Sequence, residues 1–322
     1  MIIVTGGAGF IGCALIHQLN DLGRKDILVV DRCDDINTND NLNSVSYEKF
    51  IDADEFIENE LTKLSNIDVI FHMGACSSTL ERNLDYLESN NVDYTKKLWK
   101  YSINHQVPYL YASSAATYGD GENGYDDDHS KIEQLKPLNP YGDSKQRFDV
   151  WALEQQTTPS IWFGLKFFNV FGPWEYHKGE MRSVVHKAFG QIKEKGMVHL
   201  FKSHREGFKD GEQLRDFVYV KDVCRAMIIM WQNGKSNQSG IYNMGTGKAR
   251  SFKDLVTATF HAMDVTPNIE YFDMPEGIRD QYQYFTEANM KKFQTEFSQM
   301  KFYSLEDAVT DYVRQHLLIG DA

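Results

Sequence analysis

The chain has 322 residues, 42% of them hydrophobic and 25% charged, enough to bury one large α/β domain and a smaller partner. Its 46 acidic residues outnumber 34 basic ones, which argues against nucleic acid or an anionic membrane as partner. No apolar run reaches the length of a membrane span, and the strand-like start Met1-Ile-Ile-Val gives no expectation of a signal peptide. The four cysteines, Cys13, Cys33, Cys76 and Cys224, are scattered and read as reduced thiols of a cytoplasmic protein. No metal site is expected.

In chain order, residues 2–5 read as an apolar strand that runs into Thr5-Gly-Gly-Ala-Gly-Phe-Ile-Gly12. Residues 10–22 carry apolar positions at helical spacing, and 27–31 form a second strand ending on Asp31. Further strands are expected at 68–72, 109–113 and 161–167, with helices near 51–64, 84–105 and 141–156. Continuous apolar strands alternating with helices predict a doubly wound parallel sheet. After about residue 171 the rhythm changes. Phe217-Val-Tyr-Val220 resumes strand character and a helix follows through Trp231; one more strand is expected near 269–272. The expected division is a Rossmann domain of residues 1–171 plus 217–247. Residues 172–216 plus 248–322 then form a smaller, interleaved α/β lobe.

Gly6, Gly9 and Gly12 follow a strand and open a helix. They suit a tight turn, close approach of a pyrophosphate and close helix packing, with the helix N-terminus supplying N–H donors. Asp31 is placed for the adenosine ribose hydroxyls, which favours NAD, while Arg32 could take a 2′-phosphate, which favours NADP. Downstream, Asn139-Pro140 reads as an N-cap and first helical residue. Tyr141 and Lys145 then share one helical face. The lysine charge is expected to lower the phenol pKa, making Tyr141 a general base for a substrate hydroxyl. Lys145 can also hold the nicotinamide ribose. Ser114, closing the strand before this helix, is placed to hydrogen-bond the same oxygen. Together these residues point to redox chemistry at a carbon bearing a hydroxyl.

With these motifs in register, the chain resembles the extended short-chain dehydrogenase/reductase family, the NAD(P)-dependent group acting on nucleotide sugars. Four segments narrow the resemblance to the branch that epimerises ADP-heptose at C6. They are Phe71-His-Met-Gly-Ala-Cys-Ser-Ser78, Tyr111-Ala-Ser-Ser-Ala-Ala-Thr-Tyr-Gly119, Phe167-Phe-Asn-Val-Phe-Gly-Pro-Trp-Glu-Tyr-His-Lys-Gly179, and Leu200-Phe-Lys-Ser-His204 with Asp210-Gly-Glu-Gln-Leu-Arg-Asp-Phe-Val-Tyr-Val220.

The resemblance implies acid/base roles for Tyr141 and Lys178, a 6-keto sugar intermediate, and NADP as cofactor with NAD as the alternative. It implies cofactor contacts from Gly6, Gly9, Phe10, Ile11, Gly12, Asp31, Arg32, Met73, Gly74, Ala75, Cys76, Ser77, Asn90, Tyr141, Lys145 and Val170. For the ADP-sugar it implies Ser114, Asn169, Lys178, Lys187, Phe201, Lys202, Ser203, His204, Arg215 and Tyr282. Lys178, Lys187, Lys202, Arg205 and Arg215 would supply the basic patch that the acidic bulk lacks; His177 is expected to be a neighbour of the chemistry. A homo-oligomer, pentameric by family resemblance, and a part in lipopolysaccharide inner-core heptose synthesis are also implied.

Two departures stand out. Some family members carry lysines after the second strand that hold a 2′-phosphate, whereas residues 34–40 have none. Glu180 replaces a small polar residue beside the expected sugar nucleotide. The alternatives are another nucleotide-sugar epimerase or dehydratase, or a non-catalytic dinucleotide sensor. Ala115-Ala116 stand after Ser114, where a 4,6-dehydratase usually places Asp-Glu. A 4-epimerase needs no Lys178, and a sensor needs no Ser114, Tyr141 and Lys145 together.

Overall fold

The computed structural model describes residues 1–33, 36–279 and 282–320; Asp34 and Asp35 of the lysine-free run lie outside the described residues. Seven strands form one sheet: β1 Ile2–Thr5, β2 Ile27–Asp31, β3 Lys49–Asp52, β4 Val69–His72, β5 Tyr109–Ser114, β6 Trp162–Phe167 and β7 Gly240–Met244. Their spatial order is β3-β2-β1-β4-β5-β6-β7, and each neighbouring pair is parallel. This is the doubly wound α/β arrangement. The apolar runs of β1, β2 and β4 follow from it, because a parallel sheet covered on both faces buries every side chain; Ile2, Ile3, Val4, Ile27, Val29, Val30, Val69, Ile70 and Phe71 are all buried.

Helix α1 (Phe10–Asp21) packs Phe10, Cys13, Ala14, Leu15, Ile16 and Leu19 inward. The expected helix over 84–105 is interrupted. An α-helical turn, Leu84–Leu87, passes through a π-helical turn, Glu88–Asp93, into α2 (Tyr94–His105). Helix α3 (Pro140–Glu154) starts as expected: Asn139 Oδ1 accepts from Gly142 N at 2.8 Å, with Pro140 at the first position. Trp99 of α2 meets Phe148 and Trp151 of α3, Tyr109 of β5 and Trp162 of β6, with ring centroids 4.9 to 6.0 Å apart. This aromatic cluster welds both helices to the sheet.

Three differences from the sequence expectation bear on the large sheet. Lys49–Asp52 is a strand, not the start of a helix; it completes one side of the sheet by pairing with β2. Gly240–Met244, which alternation did not reveal, completes the other side by pairing with β6. Phe217–Tyr219 is a strand but pairs with Asn169–Phe171, outside the large sheet. The outer side of β7 is closed by side chains. Ile241 N–H donates to His129 Nε2 (3.0 Å), Ile241 O accepts from Lys292 Nζ (2.8 Å), and Asn243 N–H donates to Asp127 Oδ2 (2.8 Å).

The chain forms two units, residues 1–167, 224–244 and 291–300 in the first and 168–223, 245–290 and 301–322 in the second. Segment 291–300 therefore packs with the first unit, where Lys292 bonds β7 and Phe297 meets Phe163. Residues 217–223 belong to the second because of the pairing with Asn169–Phe171.

The second unit has its own core. Helices α4 (Val184–Lys195) and α6 (Phe252–Ala262) cover a two-stranded parallel ladder of Val198–Phe201 and Ile269–Phe272. Ala188, Ile192, Val198, Leu200, Val256 and Phe260 are the buried residues of that layer. Helix α5 (Val220–Asn233) lies between α4 and α6 in sequence and enters the first unit at Cys224, and α7 (Leu305–Tyr312) precedes a final π-helical turn. Among the described residues no helix is long and apolar enough to cross a membrane. The four cysteines are free thiols.

Candidate active site

The winding of the sheet reverses between β1 and β4, and in open α/β sheets ligands bind outside the carboxyl ends of the strands at that point. The glycine turn sits there. Gly6 adopts a φ of +69°, and a Cβ on it would lie 2.5 Å from Gly74 N. A Cβ on Gly12 would lie 2.1 Å from Gly6 O. The turn, helix α1 and the loop after β4 can therefore approach one another only with glycine at both positions. Gly9 is the α1 N-cap and makes no side-chain cap, and a helix N-terminus of this kind suits a phosphate. Phe10 is buried below, with Ile11 half-buried beside it.

Asp31 closes β2 over this turn. Its carboxylate accepts from Ala8 N (2.9 Å) and Arg32 N (2.8 Å), and burial holds its pKa above the ordinary value against those bonds. The crevice is lined by Thr5, Gly6, Asp31, Arg32, Gly74, Ala75, Cys76 and Asn90, among others. Met73 and Gly74 are tied to β1 through Thr5, by Met73 N to Thr5 O (3.1 Å) and Gly74 N to Thr5 Oγ1 (3.2 Å). Ser77 lies exposed at the end of that loop. Arg32 donates to Asp54 and to Asn90 Oδ1.

The proton-transfer residues assemble in the same unit. The Tyr141 hydroxyl is hydrogen-bonded to Ser114, while burial raises its pKa above the ordinary value. This corrects the expectation that Lys145 leaves the phenol lowered: desolvation is the larger effect on this side chain, and the Ser114 bond only opposes it. Ser114 Oγ also accepts from Ala116 N at 3.1 Å. Lys145 is 5% exposed, and burial pulls its pKa down to about 8, with Asp149 the first of the charges opposing the fall. Among the described residues nothing hydrogen-bonds its ammonium. A ribose hydroxyl beside it would give this ammonium an acceptor. The glycine approach, the uncapped α1 N-terminus and this ammonium fit a nicotinamide dinucleotide.

Several residues behind the site that the sequence does not single out hold it in place. Asn91, in the π-helical turn, accepts from Cys76 N (2.9 Å) and donates to Cys76 O (3.0 Å) and Ser144 Oγ (3.0 Å). It thereby locks the β4 loop onto α3, one residue before Lys145. Asp149 accepts from Tyr111, Ser113 and Lys166, and Lys166 also donates to Thr117 Oγ1 at 2.7 Å. One carboxylate thus fixes α3 to β5, β6 and the serine loop. Lys166 alone left a trace in the sequence, as a cation inside an apolar strand. A further chain runs from Gly74 N–H through Thr5 Oγ1, His72 and Thr95 Oγ1 to Asn91 O. It assigns the proton to His72 Nε2, and burial lowers this imidazole to about 3, so it stays neutral.

Apart from Ser114, the sugar-nucleotide candidates belong to the second unit. Lys178 is half-buried in a loop held by Glu175, whose fully buried carboxylate accepts from Ser183 N (2.7 Å), Ser183 Oγ (2.5 Å) and Tyr312 OH (3.0 Å). Burial lowers Lys178, with the Glu175 charge opposing. His177 next to it is lowered by burial and then by the Lys178 charge. Lys187 bonds Glu180 O at 2.5 Å and faces the Glu180 carboxylate at 3.4 Å. The Glu180 side chain is 98% exposed, so this extra acid points to solvent.

Asn169 and Val170 lie on the short strand beside Phe217–Tyr219. An aromatic cluster joins Phe201, Phe272, Tyr282 and Tyr284. The Arg215 guanidinium lies over Tyr282 at 5.3 Å and over Phe252 at 5.7 Å, an arrangement suited to a flat, anionic ligand. Asp216 accepts from Thr246 N, Thr246 Oγ1, Gly247 N and Ala288 N at 2.7 to 3.0 Å. In the adjoining loop Lys202 pairs with Asp273 (3.5 Å), Ser203 N donates to Asp210 (2.8 Å), and His204 Nε2 accepts from Met274 N (3.1 Å). The structure thus gathers Phe201, Lys202, Ser203, His204, Arg215 and Tyr282 around one aromatic patch.

Residues 2–245 match the NAD dependent epimerase/dehydratase family. The chain is 50% identical to the ADP-L-glycero-D-manno-heptose-6-epimerase of Fusobacterium nucleatum, over 100% of this chain and 99% of that relative. It is 48% identical to the protein of the same name from Nitratidesulfovibrio vulgaris, over 100% and 99% of the two chains. Among solved structures it resembles the Helicobacter pylori ADP-L-glycero-D-manno-heptose-6-epimerase. The TM-score is 0.79 at 26% identity, covering 98% of this chain and 95% of the other.

Proposed function

The chain belongs to the NAD dependent epimerase/dehydratase family, and from that premise we propose that it converts ADP-D-glycero-D-manno-heptose into the L-glycero epimer at C6. The observation that carries the chemistry is the Tyr141 phenol bonded to Ser114, one helical turn from an ammonium with no protein partner. Full-length identity of 50% to a heptose epimerase supports the choice of sugar.

Tyr141 takes the proton of the C6 hydroxyl while Ser114 fixes the oxygen. A nicotinamide ring bound here would supply the hydride acceptor and then the hydride donor at C6. The sugar passes through a 6-keto form, and its exocyclic end turns over before reduction on the opposite face. The oxygen then lies elsewhere, and Lys178, its pKa lowered by burial, delivers the proton. Lys145 holds the cofactor ribose. Gly6, Gly9, Gly12, Asp31, Asn90 and the Met73–Ser77 loop hold the rest of the dinucleotide. Lys187, Lys202 and Arg215 carry the diphosphate charge, for which the arginine fork is suited. The net reaction is an isomerisation, so no redox partner is consumed.

The cofactor in this reading is a nicotinamide dinucleotide, NADP if Arg32 is open to a 2′-phosphate and NAD if it is not. It includes a cytoplasmic homo-oligomer, pentameric by family resemblance, without nucleic-acid or membrane partner, that supplies heptose to the lipopolysaccharide inner core. The test is an NMR assay with ADP-D-glycero-D-manno-heptose that follows C6 configuration and nicotinamide absorbance together. Appearance of the L-glycero epimer without accumulation of reduced cofactor is the expected result. No conversion with dinucleotide bound would redirect the search to other nucleotide sugars.

A further inference from the structure

The carboxyl ends of β2 and β3 carry more negative than positive charge. Asp31 closes β2, and Asp52, its register partner, closes β3. Asp52 accepts from Asp54 N (2.9 Å) and Glu55 N (3.3 Å), which starts a helical turn and aims the Asp54 carboxylate back toward β2. There it meets Arg32. Nε donates to Asp54 Oδ2 at 3.3 Å and Nη2 to Asp54 Oδ1 at 2.6 Å, while Nη1 donates to Asn90 Oδ1 at 2.5 Å. This is the two-pronged arginine–carboxylate geometry, with the remaining edge of the guanidinium taken by an amide. Arg32 is the sole cation between Lys25 and Lys49.

A 2′-phosphate carries close to two negative charges and seeks the same fork. To reach Arg32 it must take the guanidinium from Asp54 and then sit among Asp31, Asp52 and Asp54. A ribose with a free 2′-hydroxyl needs only an acceptor, and Asp31 provides one.

We propose that Asp54 is a cofactor-specificity residue: by holding Arg32 it makes the crevice select NAD over NADP. This deepens the reading of the crevice as a dinucleotide site and rests on it. It replaces the expectation of NADP, which rested on Arg32 being available. The pair is solvent-facing, with Arg32 43% and Asp54 60% exposed, so the discrimination is an electrostatic one that salt weakens.

The experiment is equilibrium titration of the full-length protein with NAD+ and with NADP+, read by calorimetry, for the native chain, Asp54→Asn and Asp54→Ala. The native chain should bind NAD+ about tenfold tighter than NADP+ or better at low salt, with the ratio falling as salt rises. Either variant should shrink that ratio about fivefold or more, chiefly by tightening NADP+. Circular dichroism confirms that each variant is folded, and the asparagine form keeps the side-chain shape. Tighter NADP+ binding by the native chain overturns the proposal, as does an unchanged ratio in both folded variants. Binding of neither dinucleotide overturns the crevice assignment itself, a different outcome from a wrong ratio.

Discussion

Lys166 Nζ lies 2.6 Å from Asp149 Oδ2, and neither side chain is exposed to solvent. The pair is satisfied on all sides, by Tyr111, Ser113 and Thr117. Removing one member strands the other as a buried charge. We expect Lys166→Met to cost about 3–5 kcal/mol, measured by urea unfolding, whereas replacing both partners by apolar residues should cost much less. A loss under 1 kcal/mol for the single variant would mean that water reaches the pair.

Tyr141 and Lys178 carry different halves of the proposed proton traffic. Tyr141→Phe should lower kcat by about 10²–10⁴-fold while dinucleotide binding, followed by calorimetry, is kept. Lys178→Met should also depress epimerisation, with an unchanged melting profile because the Glu175–Ser183–Tyr312 bonds that hold its loop remain. Native rates in either variant would remove that residue from the mechanism.

Acid should loosen the first unit at β7. His129 accepts from Ile241 N–H and faces the Lys292 ammonium at 3.0 Å, so it must be neutral. Burial, then the Lys292 charge, lowers it to about 4 from an ordinary 6.5. The unfolded chain therefore binds this proton at higher pH than the folded chain does. The contribution is fully present above pH 6.5, declines on acidification and is gone once pH has fallen through about 4. Urea midpoints measured across that window should fall less steeply for His129→Gln than for the native chain. Parallel pH profiles would assign the acid sensitivity elsewhere.

Gly12 faces Gly6 O so closely that a methyl group cannot enter without moving the turn. Gly12→Ala should cost about 1–3 kcal/mol and weaken dinucleotide binding more than it weakens folding. Calorimetry on the folded variant checks this, and native affinity would show that the turn can yield.

The proton-transfer residues were legible because their spacing is local. Tyr141 and Lys145 share one helix face, and the glycine turn lies within one strand-to-helix connection. Most of the residues that brace them were not legible, because Asn91, Ser144 and Asp149 meet only after separate elements pack and a buried polar residue leaves no period in the sequence; Lys166 shows only as a cation inside an apolar strand. The two outer strands were missed for a related reason. Lys49-Phe-Ile-Asp52 has charged ends, and Gly240-Ile-Tyr-Asn-Met244 mixes glycine and asparagine into an apolar run. Strand Phe217–Tyr219 was visible by composition, yet its pairing with Asn169–Phe171 is a tertiary choice that composition does not encode. Arg32 reads as a free phosphate ligand until the fold brings Asp54 from the next strand's end onto it.

The closure of β7 bears on how copies of this chain can associate. A bare outer strand is a template on which a second sheet can grow, ending in fibres or precipitate. Here His129, Lys292 and Asp127 occupy the outward amides and carbonyl of Ile241 and Asn243, so an incoming strand would find those partners taken. Any ordered assembly of this protein therefore cannot extend its central sheet across β7.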